Sequence, residues 1–206
     1  MCFGKKLSQD EPGDCMSPFP TPNNFCGGFA LNAVLVDLGR GTCPIEVYIR
    51  IQDYQNTEII KKNPKSAASI YLQNNESSGT RMSLPSGICA AFKNYVTDRT
   101  VTVCYSSNFA ESDFKALIIE ERARITALGM TVNPDDDLSK IDWSYVLVLV
   151  NGDHWIAVKC IEEGKKYICY DPDEGKDSEG DTMENAIENL KKYEISGLYI
   201  CIPKTI

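Results

Sequence analysis

The chain has 206 residues, of which 43% are hydrophobic and 24% are charged, and its formal net charge is −8. These proportions are ordinary for a soluble globular protein, whereas the acidic balance argues against a nucleic-acid binder, which needs a basic face for phosphates. No apolar run approaches the roughly 18 residues that span a bilayer, so no membrane partner is expected.

Nine cysteines are spread along the chain without a Cys-x-x-Cys pair, which argues against a structural zinc site. Four of them lie in apolar, strand-like runs, where a free thiol behaves as a small hydrophobic side chain: Cys104, Cys160, Cys169 and Cys201. The count is odd, and the first residues lack the apolar core of a signal peptide. We therefore expect reduced thiols in a cytoplasmic protein, or a protein delivered to a target cell by a route that needs no signal peptide.

The first half of the chain is predicted to be mainly helical. Residues 1–22 are polar and rich in Pro and Gly, which indicates an extended arm, and residues 23–206 are expected to form one domain. Asn23 and Asn24 offer an N-cap for a buried helix over 26–38. The elements predicted next are a helix over about 44–61, a polar connector over 62–84, a helix over 85–97, a strand over 100–105 and a helix over 112–128.

The second half is predicted to be mainly strands, over about 143–150, 154–161, 166–171 and 197–202. An acidic loop over 171–181 and a helix near 182–192 precede the last strand. The loop does not meet the spacing of a calcium-binding EF-hand, so no metal is expected there. Helices followed by an antiparallel sheet indicate an α+β fold.

Cys26 is the candidate nucleophile, because it lies where a loop becomes a helix. The unsatisfied N–H groups and partial positive charge of a helix N-terminus lower the pKa of a thiol, and the thiolate is the reactive species. Gly27 and Gly28 are expected to leave the sulfur exposed and to let a substrate carbonyl approach backbone N–H donors. The alternative interpretation is a structural cysteine that opens a core helix.

His154 is the only histidine and therefore the only candidate for an imidazole base. Asp171 ends the next predicted strand, and a hairpin that turns near 162–165 is expected to bring the two residues side by side. There Asp171 would accept a hydrogen bond from Nδ1–H of the ring and stabilise the imidazolium. Taken singly, the histidine is equally typical of a surface or core position, and Asp-Pro is an ordinary turn opening.

The three motifs together resemble a papain-like cysteine peptidase of the bacteriocin-processing group. In that group a Cys-Gly-Pro-like helix start is followed much later by Gly-His-aromatic-hydrophobic and then by a strand ending in Asp-Pro. Two small departures are the inserted Asp153 and the replacement of proline by Gly28. The resemblance extends over about 20–202 in the order of elements. The matching segments are 26–31 (Cys-Gly-Gly-Phe-Ala-Leu), 152–158 (Gly-Asp-His-Trp-Ile-Ala-Val) and 170–172 (Tyr-Asp-Pro).

This resemblance implies a papain-like fold, in which a helical part with the catalytic cysteine at a helix start packs on an antiparallel sheet. It also implies a triad of Cys26, His154 and Asp171, a peptide or protein substrate, and no cofactor. Such a triad cleaves an amide through an acyl-enzyme. Proteolysis, deamidation of glutamine, acyl transfer to an amine and amidase action on a cell-wall peptide remain open, as do roles as a bacterial effector, a toxin or a peptide-maturation enzyme.

The oxyanion hole is where the sequence departs most from the family pattern. The family has a donating glutamine six residues before the cysteine, but Pro20 occupies that position and has neither a side-chain donor nor a backbone N–H. Gln9, Asn24 or Asn23 are the candidates to replace it, beside the backbone N–H of Cys26.

Two other classes of function are therefore considered. The missing glutamine is compatible with a catalytically inactive papain-like binding module that takes an inhibitor-type or immunity-type partner. A redox sensor is disfavoured, because no second cysteine lies close to Cys26 in the sequence. The sequence does not indicate an oligomeric state.

Overall fold

The computed structural model describes residues 24–77, 79–106, 109, 114–133, 137–162 and 165–203. Its first part is mainly helical, as predicted. The elements there are α1 (Cys26–Asp37), α2 (Pro44–Tyr54) with a π-helical continuation (Gln55–Ile60), α3 (Ala67–Asn74), the hairpin strands β1 (Glu76–Ser77) and β2 (Thr80–Arg81), and α4 (Pro85–Tyr95).

The second part is mainly strands. Its elements are β3 (Thr102–Tyr105), α5 (Lys115–Ala127), β4 (Thr131–Val132), a short 3-10 helix (Leu138–Lys140), β5 (Tyr145–Val150), β6 (His154–Glu162), β7 (Lys166–Asp171), β8 (Lys176–Gly180), α6 (Met183–Glu188) and β9 (Ile195–Ile202). The described residues thus contain six α-helices and a seven-stranded sheet in the order β4-β3-β9-β5-β6-β7-β8. Only the β3–β4 pair is parallel. The fold is α+β, as the sequence predicts.

The sheet is covered on both faces, which explains why β5 is buried at every position. Because successive side chains of a strand point to opposite faces, Leu147 and Leu149 join the core formed with α1 and α4. Val146 and Val148 pack instead with Met183 of α6. Helix α1, which begins at Cys26, therefore lies against the face to which β6 contributes Trp155 and Ala157.

The polar connector predicted over 62–84 is wrong in part, since it contains α3 and the β1–β2 hairpin. Ser66 caps α3 by accepting a hydrogen bond from Ser69 N. The Glu120 carboxylate of α5 accepts further bonds from Ala67 N and Ala68 N, at 2.9 and 3.1 Å. A helix of eight residues is marginal by itself, and here a distant helix supplies part of its stabilisation.

The predicted loop over 171–181 is also wrong in part, because residues 176–180 form the strand β8. It pairs with β7 from Asp171 opposite Lys176 to Tyr167 opposite Gly180. As an edge strand, β8 has an exposed side, and its charged residues are typical of such strands. The short strand β4, which the sequence analysis did not predict, pairs with β3 after α5.

The N-terminal predictions have mixed outcomes. The arm over 1–22 and Asn23 lie outside the described residues. The predicted N-cap is wrong, because Phe25 is the N-cap of α1 and the structure has no side-chain cap there. Asn24 has a positive φ of 62° and belongs to the turn before the helix.

The cysteines are not all reduced. Six described cysteines are free, including the four predicted in strands, but Cys43 before α2 is disulfide-bonded. The prediction of reduced thiols throughout is therefore wrong at Cys43, since an odd count also allows a disulfide beside free thiols. In the described part of the chain, no helix combines the length and the apolar character that a bilayer crossing requires.

Candidate active site

Cys26 is the first residue of α1, and its thiol lies beside the turn that leads into β6. Its Sγ is 3.9 Å from the carbonyl oxygen of Asp153, and its interaction with the His154 ring raises the pKa of the imidazole. The N-cap residue Phe25 contributes no side-chain cap. The backbone N–H groups of the first turn of α1 are therefore not bonded to an N-cap side chain, and the thiol lies at the same helix end.

The two glycines after Cys26 allow close packing, and they do not expose the sulfur as predicted. Cys26 is only 5% exposed. A Cβ at Gly28 would lie 2.6 Å from Cβ of Tyr48 and 2.9 Å from its backbone N, and a Cβ at Gly27 would overlap Ser83. Glycine therefore lets the start of α1 approach α2 and the segment before α4.

His154 begins β6, and Asp171 ends β7. The two strands pair Ala157 with Tyr170, so Asp171 lies opposite Ile156, two residues from His154 on the same face. The ring Nε2 and Asp171 Oδ1 are 2.9 Å apart, and both residues are buried. The predicted pairing is thus observed, but the predicted nitrogen is wrong: the ring faces the carboxylate with Nε2, which leaves Nδ1 for other partners.

The site stabilises the charged form of the imidazole. Burial lowers the pKa of His154, but the hydrogen bonds with Asp171 and Cys26 and the negative charges of Cys26 and Asp173 raise it more, to about 10. Burial alone would raise the pKa of Asp171, but the hydrogen bonds from His154 and Tyr193 lower it below its usual value. These interactions favour a protonated imidazole beside an ionised Asp171 carboxylate.

Two residues that contact Asp171 were not predicted. The Tyr193 hydroxyl donates to Asp171 Oδ2 at 2.6 Å, and the backbone N–H of Asp173 donates to Asp171 Oδ1 at 2.9 Å. An Asp173 carboxylate oxygen lies 3.7 Å from His154 Nδ1. Asp173 could have been inferred from its place in the turn after Asp171, whereas no sequence signal distinguishes Tyr193.

The oxyanion donors are only partly described. Asn24 is half-buried, and its Nδ2 donates to the Thr80 carbonyl at 3.3 Å, which uses one of the two N–H groups of the amide. Gln9, Asn23 and Pro20 lie outside the described residues. The assignment of Asn24 or Gln9 to the oxyanion hole therefore stays a prediction.

A small apolar pocket of about 40 Å³ adjoins the site. Ser83 and Trp155 connect the two, because both border Gly27 and both line the pocket, as does Gly152. Trp155 Nε1 donates to the Ser83 carbonyl at 2.8 Å, and the buried Ser83 hydroxyl has no hydrogen-bond partner among the described residues. The aromatic side chains in its wall are Tyr71, Tyr105, Phe109, Phe114 and Trp155.

The side chains of His154, Asp171 and Asp173 could reach a common cation, since one ligand atom of each lies within 4.8 Å of the others. However, the hydrogen bonds of Asp171 already use both of its oxygens. A carboxylate that orients a histidine makes the same contacts, so these three residues alone do not indicate a metal site.

Comparison of the sequence with models of protein families and with curated protein sequences gives no match.

Proposed function

We propose that the protein is a cysteine hydrolase that cleaves an amide or peptide bond, with Cys26 as nucleophile, His154 as general acid and base, and Asp171 as the residue that orients the ring. The observation that carries this proposal is the contact between His154 Nε2 and Asp171, beside the Cys26 thiol whose electrostatic interaction with the ring raises the pKa of His154. A papain-like fold is part of the proposal, and the α+β architecture with Cys26 at a helix start supports it.

In the proposed reaction the Cys26 thiolate attacks the carbonyl carbon, and the backbone N–H of Cys26 stabilises the oxyanion that forms. The His154 imidazolium gives its proton to the departing nitrogen, so that an amine leaves and a thioester remains. The neutral ring then takes a proton from water as that water attacks the thioester. Collapse of the second tetrahedral intermediate releases the carboxylic acid and the Cys26 thiolate, and the proton stays on His154.

The apolar lining of the neighbouring pocket supports a substrate with an apolar side chain close to the scissile bond. Its wall is mainly aromatic and aliphatic, and such pockets select ligands by buried apolar area with a few polar contacts for orientation. The unpartnered hydroxyl of Ser83 would supply one such polar contact.

Mass spectrometry of a peptide library tests the activity. We expect peptides with apolar residues to be cut by the wild type and to stay intact with Cys26→Ala. A gain of about one dalton without cleavage would indicate glutamine deamidation instead. In that reaction ammonia is the leaving group when the thioester forms, and water then releases a glutamate side chain. No Cys26-dependent change in any peptide would contradict a hydrolase and favour an inactive binding module.

We further propose that the protein is delivered out of the reducing cytoplasm. The disulfide at Cys43 supports this location over the cytoplasmic alternative, because disulfides persist in oxidising surroundings. Purification without reductant followed by thiol labelling tests the point. We expect Cys43 to stay unlabelled until a reductant is added, and labelling without reductant would contradict the proposal.

A further inference from the structure

Tyr193 has no role in the reaction described above, although its hydroxyl is bonded to the carboxylate of the triad. We propose that Tyr193 is a positioning residue: it fixes the Asp171 carboxylate, and through it the His154 ring, in the orientation that lets the ring share a proton with Cys26. This inference rests on the proposed function and adds a fourth residue to its site.

The first support is the division of the carboxylate oxygens. Asp171 Oδ1 lies 2.9 Å from His154 Nε2 and also accepts from Asp173 N. Oδ2 accepts from the Tyr193 hydroxyl at 2.6 Å. A carboxylate held on both oxygens cannot rotate about its Cβ–Cγ bond without breaking charge-assisted hydrogen bonds, which are among the stronger contacts in proteins. Tyr193 therefore determines the plane in which the carboxylate meets the ring.

The second support is the position of the phenol ring. It lies 5.5 Å from the imidazole, centre to centre, with 32° between the ring planes. Such a contact restricts rotation of His154 and excludes water from one side of it. Tyr193 thus acts on the imidazole directly as a packing surface and indirectly through Asp171.

The third support is that the Tyr193 segment and the turn before His154 are bound to each other. Asn151 Oδ1 accepts from Glu194 N at 3.0 Å, and Asn151 N donates to the Glu194 carbonyl at 2.8 Å. Gly152 N donates to Ser196 Oγ at 2.7 Å. Because these bonds fix the backbone on both sides, the hydroxyl keeps its place relative to the histidine.

Other charged and titratable groups surround this unit, and they contribute to the titrations used below. They are His154 of β6, Cys26 of α1, Asp173 and Glu174 of the β7–β8 turn, Lys176 of β8, and Lys191 over the Tyr193 ring.

Tyr193→Phe tests the proposal, because it removes the hydroxyl and keeps the ring. The single histidine allows the ring resonances of His154 to be followed by NMR without ambiguity. Since the Tyr193 hydrogen bond helps to lower the pKa of Asp171, its loss should move the acidic inflection of these resonances up by about one pH unit. The loosened ring should also exchange its Nε2–H proton with water about tenfold faster.

Tyr199→Phe is the matched control. Tyr199 lies on β9, three strands from β7 in the sheet, so its loss should change neither quantity. In an Asp171→Asn background, Tyr193→Phe should change the exchange rate less than about twofold, because residues that act through one group are not additive. Full additivity, or a Tyr193→Phe titration identical to that of the wild type, would overturn the proposal. These measurements need no substrate, so their failure is distinguishable from a failure of the hydrolase assignment.

Discussion

The two nitrogens of the His154 ring have different tasks. Nε2 meets Asp171 at 2.9 Å, which leaves Nδ1 as the nitrogen available to the Cys26 thiol. A ring held in this way exchanges a proton with the thiol without having to turn over first. Asp173, 3.7 Å from Nδ1, adds a second negative charge on the side that Asp171 leaves open.

The titration of His154 tests this arrangement. We expect its ring resonances to titrate near pH 10 in the wild type. Cys26→Ala should lower the midpoint, because interactions with the Cys26 side chain raise the pKa of the ring. NMR of the only histidine measures both values. A wild-type midpoint near 6.5, the ordinary pKa of histidine, would show that the ring is not part of a buried ion pair.

At this scale the sequence predicts the triad but not its surroundings. Cys26 opens an apolar helix, and His154 has no competitor, so both can be found from the chain alone. The ring nitrogen that meets Asp171 depends on side-chain rotation, which residue spacing does not determine. Tyr193 is one of ten tyrosines and reaches Asp171 only through the folded chain, so nothing local identifies it.

Helix α5 stabilises two other helices through neighbouring carboxylates. Glu120 accepts hydrogen bonds at the start of α3. Glu121 is 1% exposed and accepts from Ser86 N at 2.8 Å and from Ser86 Oγ at 2.9 Å at the start of α4. Arg124 pairs with both carboxylates, at 2.9 and 3.1 Å. The helices behind the site therefore depend on α5 for their N-terminal hydrogen bonds.

Glu121→Ala should destabilise the protein by about 3 kcal/mol, because it leaves the Ser86 groups and part of the Arg124 charge buried without partners. Denaturant unfolding measures the change. Glu58→Ala is the control, since it removes only an exposed pair with Lys62 and should cost less than about 0.5 kcal/mol. Equal effects of the two variants would contradict a stabilising role for the buried carboxylate.

The same contacts explain which elements the sequence predicts. Strand β5 is a continuous apolar run, β6 is apolar from Trp155 to Val158, and α1 is buried along most of its length, so each is predicted from its own pattern. Strand β8 is polar and helix α3 has only eight residues. Glu120 accepts hydrogen bonds at the start of α3, and β7 pairs with β8. Glu120 lies 53 residues beyond Ala67, and β8 lacks an apolar pattern of its own, which is why these elements were missed.

For the whole molecule, the charge state of the site is coupled to folding. The raised pKa of His154 stabilises the fold fully below the ordinary value of 6.5, and this contribution is lost as the pH rises through about 10. The pKa of Asp171 is lowered, so its contribution is present above the ordinary value of 3.8 and is lost as the pH falls. The contributions of both groups are therefore fully present together between pH 3.8 and pH 6.5.

His154→Gln should remove the alkaline part of this dependence. We expect the wild type to be more stable than the variant near neutral pH. The difference should shrink towards pH 10, because the stabilising imidazolium loses its proton there. Each unit by which the pKa is raised corresponds to about 1.4 kcal/mol. Denaturant unfolding at several pH values gives the two curves. A difference that stays constant with pH would show that the protonation of His154 is not linked to folding.

The central claim is that Cys26 is an activated thiolate beside His154, and thiol labelling tests it most directly. At a pH near 6 iodoacetamide should label Cys26 well before Cys160, the partly exposed free thiol in β6. Burial raises the pKa of three other thiols, which should stay unlabelled: Cys89, Cys169 and Cys201. His154→Ala should abolish the selectivity. Labelling of Cys26 no faster than Cys160, or unchanged selectivity in His154→Ala, would contradict the proposed nucleophile and its base.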